Sequence, residues 1–320
     1  MWVTSSSDTI LTPTAIALGN FDGIHQGHRQ VIQPALDAAT SFTAERVYAT
    51  VVTFNPHPQE FFSGQPRCLL TPLPEKVAEL KLLGIEQLVL LPFDRELANL
   101  SPPEFVERIL VTRLQAKQVS VGADFCFGRQ RAGTATELQR LALDYGVAAT
   151  VAPLQELNGD RISSSRIRQA LLAGDLLRVK QLLGHPYRLL GEVVVGQQLG
   201  RTIGFPTANL KLPPEKFLPR QGVYAVRVGI GSEASPELTM PLALTGVMNL
   251  GQRPTVGGVH QTIEVHILGW AGDLYGNHLV VSLEAFIRPE QKFSSLEELK
   301  LQIQKDCAIA KTLLAAETDS

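Results

Sequence analysis

The chain has 320 residues, of which 44% are hydrophobic and 19% charged, and its formal net charge is −2. That length accommodates two cores of ordinary domain size, and the balance of apolar to charged residues is that of a soluble globular protein. The charge leaves no electrostatic footprint for nucleic acid or an anionic membrane, so any polyphosphate has to be held by local devices such as helix N-termini, a few arginines and a metal.

The three cysteines, Cys68, Cys126 and Cys307, are widely separated and form no CxxC pair. That usage fits a reducing cytoplasm and gives no disulfide framework. Met1 to Thr14 is polar and Ser/Thr-rich, with no basic region followed by an apolar one, so it does not read as a signal peptide. No apolar run approaches the ~18 residues of a membrane span. Oligomeric state is not readable from these features.

From Thr14 to Gly184, short β-like runs alternate with amphipathic helices. Thr14–Leu18 reads as a strand, followed by a Gly-rich turn and a helix starting near His28. Val47–Thr53 is a second strand, and a helix over Pro74–Leu83 carries Val77, Leu80 and Leu83 as its apolar stripe. Gln87–Leu91 is the third strand, Glu104–Leu114 a helix and Gln118–Val121 the fourth strand. Thr136–Asp144 is another helix, and Val147–Val151 the fifth strand. Such alternation implies an α/β domain: a parallel sheet with helices on both faces, Rossmann-like, with ligands bound beyond the carboxyl ends of the strands.

The pattern changes near Gly184-His185-Pro186. From Leu189 to Ile287 the helical period is lost, and short alternating stretches take over: Leu190–Val195, Val223–Val228, Leu242–Val247, Ile263–Leu268 and Leu279–Phe286. Gly and Pro turns between them suggest a small antiparallel β-barrel. A closing helix over Ser295–Leu314 places Leu296, Leu299, Ile303 and Leu313 on one side. The expected domains are therefore 1–184 and 185–320, with the boundary at 184–188.

One chemistry-bearing motif lies in each half. In the first, Gly19-Asn20-Phe21-Asp22-Gly23-Ile24-His25-Gln26-Gly27-His28 joins a strand to a helix. Gly19, Gly23 and Gly27 permit close backbone approach to a polyphosphate, and the helix N-terminus offers unpaired N–H groups and a positive dipole end. His25 and His28, three apart, can donate to an α-phosphate as charge grows on it. In isolation, two histidines at a helix start serve equally well as caps or metal ligands.

The whole segment resembles the phosphate loop of the HxGH nucleotidyltransferases. Leu199-Gly200-Arg201-Thr202-Ile203-Gly204-Phe205-Pro206-Thr207-Ala208-Asn209-Leu210, followed by Glu264-Val265-His266-Ile267, resembles the ATP and magnesium loop and base of riboflavin kinase. The pairing, in this order, resembles the bacterial bifunctional riboflavin kinase/FAD synthetase family over nearly the whole chain. That resemblance implies a bifunctional transferase: the C-terminal domain phosphorylates riboflavin with ATP to FMN, and the N-terminal domain adenylylates FMN with a second ATP to FAD and pyrophosphate. ATP is then a co-substrate, the flavins are substrates and products, and Mg2+ is the metal.

The resemblance also assigns residues. His25 and His28 act on the α-phosphate, with Gly19, Asn20, Phe21, Asp22, Gly23 and Gly27 shaping the loop. Ser164, Ser165 and Arg168 of Ile162-Ser163-Ser164-Ser165-Arg166-Ile167-Arg168 clamp the β- and γ-phosphates; Arg166, two residues from Arg168, cannot face the same way on a helix. Asn55, Pro56, His57 and Pro58, with Asp124, Phe125 and Phe127, form flavin-side walls, although alternating Phe125 and Phe127 read equally as strand core. Gly200, Arg201, Gly204 and Pro206 approach the kinase ATP. Thr207 and Asn209, two apart on an extended segment, offer hard oxygen ligands to the metal, and Glu264 is the general base for the acceptor hydroxyl. Arg288 either closes over the flavin or pins the last helix.

Two other functions are compatible with part of this pattern. One is a nucleotidyltransferase for another phosphorylated acceptor, with the β-domain as a dock; the Thr207, Asn209 and Glu264 set has no place in a mere dock. The other is a non-catalytic flavin sensor, which has no need of two intact phosphate loops.

Overall fold

The computed structural model describes residues 1–196, 200, 203–231, 241–255 and 258–316. The chain divides into two compact units, Met1–Ser164 and Ser165–Ser320.

The first unit is built on a six-stranded parallel sheet. Its strands are β1 (Trp2–Thr4), β2 (Thr14–Leu18), β3 (Tyr48–Asn55), β4 (Gln87–Pro92), β5 (Ala116–Gly122) and β6 (Ala148–Ala152), in the spatial order β1-β4-β3-β2-β5-β6. All five residues of β2 are buried, as a central strand covered on both faces requires. Ala15 and Ala17 belong to a core with Val31, Ile32, Val51, Leu80 and Leu88, whereas Ile16 and Leu18 belong to a second core with Val52, Leu110, Val119 and Leu138. The period-two alternation of one strand therefore feeds two cores, one per face. Helices α1 (Gln26–Ser41), α2 (Pro58–Ser63), α3 (Leu73–Leu82) and α4 (Ala135–Leu143) connect the strands.

The structure adds β1 to the five expected strands; its polar Ser/Thr context hid it, and it pairs with β4 through Trp2–Gln87, Val3–Leu88 and Thr4–Val89. The expected helix over Glu104–Leu114 is instead a short α-helix, Pro102–Phe105, that passes into a π-helical segment, Val106–Arg113.

In the second unit, six strands close into a barrel. They are β7 (Tyr187–Val194), β8 (Ala208–Lys211), β9 (Gly222–Gly231), β10 (Leu244–Thr255), β11 (Gly258–Ile267) and β12 (His278–Arg288), in the order β7-β8-β11-β10-β9-β12, and every pairing is antiparallel. Two helices, α5 (Ser164–Ala173) and α6 (Leu176–Leu183), precede the barrel in the chain. Leu176, Val179, Leu182 and Leu183 give α6 a buried face, and Gly184 ends it in the left-handed conformation at φ 85°.

Helix α7 (Leu296–Ala316) closes this unit. Its buried face differs from the expected stripe. Leu296 and Leu313 are 67% and 39% exposed, and the contact runs through Ile303, Cys307, Ala310 and Leu314 against Val223, Ala225 and Val247. Leu314, one residue beyond Leu313, is turned about 100° around the helix axis, and that single step carries it onto the barrel.

Candidate active sites

The loop between β2 and α1 leaves the carboxyl end of a central strand and turns sharply, with Phe21, Gly23 and Ile24 at φ 47°, 96° and 38°. Several groups hold that turn. Gly19 N–H donates to Val52 O at 3.1 Å, and Thr53 Oγ1 and Lys76 Nζ both donate to Asn20 O, at 3.2 and 3.0 Å. Thr71 N–H donates to Asp22 Oδ1 at 3.2 Å, and Thr71 Oγ1 accepts from Gly23 N–H at 2.9 Å. Ser164 Oγ donates to Asp22 O at 2.7 Å, so its hydroxyl also ties the loop.

His25 is the N-cap of α1. Its Nδ1 accepts from His28 N–H at 3.2 Å, which assigns the ring proton to Nε2. The His25 and His28 rings stack with centroids 3.6 Å apart, and the edge of Phe21 meets His28 at 5.3 Å. Gly27 gives that stack room: a Cβ there would lie 3.2 Å from His25 Nδ1, so the ring would have to shift slightly to accept one. Burial pushes His25 down to about 4, partly opposed by the nearby Asp22 carboxylate. Burial, and then the neighbouring His25 and Lys76, hold His28 well below the ordinary imidazole value. Both rings are therefore neutral donors near neutral pH.

The expected flavin-side residues fall into two groups. His57 caps α2: Nδ1 accepts from Gln59 N–H at 3.1 Å, and Glu60 Oε2 accepts from His57 N–H at 3.1 Å. Burial, then the Arg67 charge, lowers His57 to about 4. Asn55, Pro56 and Pro58 flank it beside a cluster of Phe54, Phe61, Phe62 and Phe93, in which Phe93 packs edge-on at 5.5, 5.3 and 5.9 Å from the other three. Asp124 pairs with Arg161, both about half exposed. Phe125 remains partly exposed, but Phe127 is a core residue at 4% exposure, packed on Phe105 and against Gly133, where a Cβ would lie 2.7 Å from its ring. Of the two readings of Phe127, core and ligand wall, the structure supports core.

Ser165 and Arg168 fall in the second unit, on α5. Ser165 is exposed, and Arg168 lays its guanidinium over the Phe217 ring at 5.5 Å.

In the barrel, register organises the polar residues. Asn209 on β8 is directly opposite Glu264 on β11, and Glu264 is directly opposite Asn249 on β10. Directly paired residues project to the same face, so Asn209, Glu264 and Asn249 form one row across three strands. The alternate residues Ala208, Leu210, Ile263, Val265, Met248 and Leu250 are buried. Thr207 immediately precedes β8. The Phe205-Pro206 segment is seated by His266, whose Nδ1 lies 2.8 Å from Pro206 O and whose ring meets Phe205 edge-on at 5.4 Å. Gly200 lies against this segment, where a Cβ would come 2.3 Å from Phe205 O and 3.3 Å from Thr207 Oγ1, and Phe205 N–H donates to Gly200 O at 2.8 Å. Gly204 takes φ 85°. Arg201 lies outside the described residues.

Arg288 is held elsewhere. It forms a bidentate pair with Asp306 of α7 at 2.7–3.1 Å, with side chains 14% and 2% exposed. This pairing supports the second of its two readings, pinning the closing helix.

Thr71, Lys76 and Arg161 escape a reading of the sequence. Thr71 and Lys76 are about fifty residues from the loop they hold, beyond the range of any local pattern. The place of Asn249 opposite Glu264 emerges only from strand register.

Models of two families match the chain: FAD synthetase over residues 7–166 and riboflavin kinase over residues 183–314. Proteins named bifunctional riboflavin kinase/FMN adenylyltransferase are similar along nearly the whole length. The one from Escherichia coli K12 is 42% identical across 91% of this chain and 90% of its own, and that from Pseudomonas fluorescens is 39% identical across 93% and 92%. A solved structure described as a macrolide-efflux protein from Streptococcus pneumoniae superposes with a TM-score of 0.82 at 31% identity, covering 97% of this chain and 98% of that one. The fold and the paired sites thus define a two-domain flavin-nucleotide transferase. The chain belongs to the bifunctional riboflavin kinase/FMN adenylyltransferase family, with the FAD synthetase domain first and the riboflavin kinase domain second.

Proposed function

We propose that the β2–α1 loop carries the adenylylation of FMN and that the β8–β11–β10 row carries the phosphorylation of riboflavin. The observation that supports this division most directly is the register that sets Asn209 against Glu264.

In the kinase step, Glu264 accepts the proton of the ribityl terminal hydroxyl as its oxygen attacks the γ-phosphorus, and ADP leaves. Thr207 and Asn209 are the residues that would hold Mg2+: their donors are the hard oxygens this ion selects. Gly200, having no Cβ, lets its backbone lie close against Phe205 O and Thr207 Oγ1 on the same side of the segment. When bound, the ion neutralises charge on the ATP phosphates. Gly204, Pro206 and Arg201 complete the nucleotide side of this reading.

In the adenylylation step, an FMN phosphate oxygen attacks the α-phosphorus of ATP, and the bond to the bridging oxygen breaks to release pyrophosphate. The Nε2–H of His25, the His28 ring and the N-terminus of the 16-residue α1 donate toward the charge that grows on the α-phosphate. Neutral imidazoles suit this task, because the arriving negative charge strengthens their donation. Ser164, Ser165 and Arg168 are assigned to the β- and γ-phosphates. Asn55, Pro56, His57, Pro58, Asp124 and Phe125 are assigned to the flavin. The domain boundary is placed at 184–188. None of the helices among the described residues is long and apolar enough to cross a membrane; the cysteine usage supports a cytoplasmic site of action, and the net charge gives no reason for a nucleic-acid partner.

The test is direct: purified protein, Mg2+, ATP and riboflavin, with flavins separated by chromatography. FMN followed by FAD is expected. If neither formed, the proposal would fall.

A further inference from the structure

Lys76 is a buried charge that the reactions above do not use. It lies on the first turn of α3, is 8% exposed, and donates from Nζ to Asn20 O at 3.0 Å. The loop it reaches is strained: Phe21 and Ile24, neither of them glycine, adopt left-handed backbone conformations on either side of Gly23. Such conformations persist only where surrounding structure over-determines them. Part of the over-determination comes from one short segment: Thr71 binds the side chain of Asp22 and the backbone of Gly23, and Lys76 shares the Asn20 carbonyl with Thr53 Oγ1. An ammonium is an expensive group to bury merely as a spacer, because its solvation is lost. Burial works against the charged form, and the Asp22 carboxylate offsets part of that loss.

We propose that Lys76 is a positioning residue for adenylylation: its buried ammonium fixes the Asn20 carbonyl and thereby the turn that presents His28 and the N-terminus of α1 to the nucleotide. This rests on the assignment of the β2–α1 loop as the adenylylation site. Its charge also contributes to the positive field under that loop, the side from which a polyphosphate gains attraction.

The experiment uses the full chain with Lys76→Met, Lys76→Gln and His28→Ala. Adenylylation of supplied FMN and phosphorylation of riboflavin are measured separately, with folding checked by circular dichroism. Lys76→Met, which keeps the hydrocarbon but not the charge, is expected to lower the adenylylation kcat by ~10–10²-fold, the scale of small misplacements at a reacting centre. KM for FMN and the rate of riboflavin phosphorylation should stay at wild-type values; a merely structural loss of folded material would not produce that split. Lys76→Gln, uncharged and one bond too short, should fall in the same direction and serves if the methionine variant does not fold. Wild-type kcat in either folded variant overturns the role of Lys76. His28→Ala separates the two levels: wild-type adenylylation in that variant would instead overturn the assignment of the loop.

Discussion

In the first unit three polar groups at the β2–α1 loop are drawn into the protein. Asp22, His25 and Lys76 are 4%, 6% and 8% exposed, and each is engaged by the loop they share. In the second unit Thr207, Asn209, Asn249 and Glu264 are all partly exposed, along the face of the barrel strands that alternates with the buried residues. The contrast matches the two chemistries proposed. Stabilising charge on an α-phosphate calls for donors fixed before the substrate arrives, which requires a strained loop and groups beneath it. Phosphorylating a hydroxyl calls for a carboxylate open to the acceptor and oxygen donors open to a cation, which an extended strand supplies through register alone.

The largest effect expected from breaking this contrast is at Glu264. Glu264→Gln keeps the shape and removes the carboxylate, so FMN formation should fall by ~10²–10⁴-fold, the span of general acid–base catalysis. Conversion of supplied FMN to FAD should continue. Chromatography of the flavins made from riboflavin and from FMN measures both, and loss of both reactions in a folded variant would refute the two-site assignment.

Next is the anchor of the closing helix. Arg288→Met leaves the Asp306 carboxylate, 2% exposed, without its bidentate partner. Breaking a buried pair by removing one member typically costs ~3–5 kcal/mol, whereas replacing both members with neutral residues costs far less. Urea unfolding of the second unit should therefore shift strongly in Arg288→Met and less in the double variant with Asp306→Asn. Under conditions where the single variant stays folded, KM for riboflavin should be unchanged; an increase would give Arg288 a flavin contact as well.

His28→Ala is the mirror image of the Glu264 experiment. It removes a donor aimed at the α-phosphate, and comparable losses cost ~10²–10³-fold in turnover. FAD formation from FMN should drop by that factor while riboflavin phosphorylation continues.

The sequence made parts of this contrast legible for physical reasons that can be stated. Thr14–Leu18 is readable because a strand buried on both faces must be apolar throughout, and Thr207 and Asn209 because the period of an extended segment is two. Glu264 is readable as a strand residue between buried Ile263 and Val265. What stayed hidden is non-local. Lys76 lies next to the apolar stripe of a helix, and nothing within that helix says its ammonium reaches Asn20. Asn249 joins Glu264 only because two strands pair in one register and not in another. Arg288 offered two roles, and the partner that supports the helix-pinning one sits eighteen residues away on a different element. The misplaced stripe of α7 has a smaller cause: Leu313 and Leu314 are equally apolar, and only the surface beneath the helix selects one of them.

The smallest expected effect is one of acidity, and it sharpens the description of the first unit as a site of neutral donors. His25 is held at about 4 in the folded protein, against an ordinary value of 6.5, mainly by burial. Between those two values the unfolded chain binds a proton that the folded chain does not, so stability rises with pH across this window. The contribution is fully present above about pH 6.5 and is lost as the pH falls toward 4, at no more than ~1.4 kcal/mol per pH unit for one such group. Thermal unfolding of the first unit should accordingly weaken from pH 7 to pH 5, and His25→Gln, which cannot titrate, should flatten the slope by up to one proton. A non-hydrolysable ATP analogue should flatten it as well in the wild-type protein, because a bound phosphate favours the protonated ring and narrows the gap between folded and unfolded values. A slope unchanged by both would mean that His25 is not held neutral in the folded loop, and the account of α1 as an array of neutral donors would have to be abandoned.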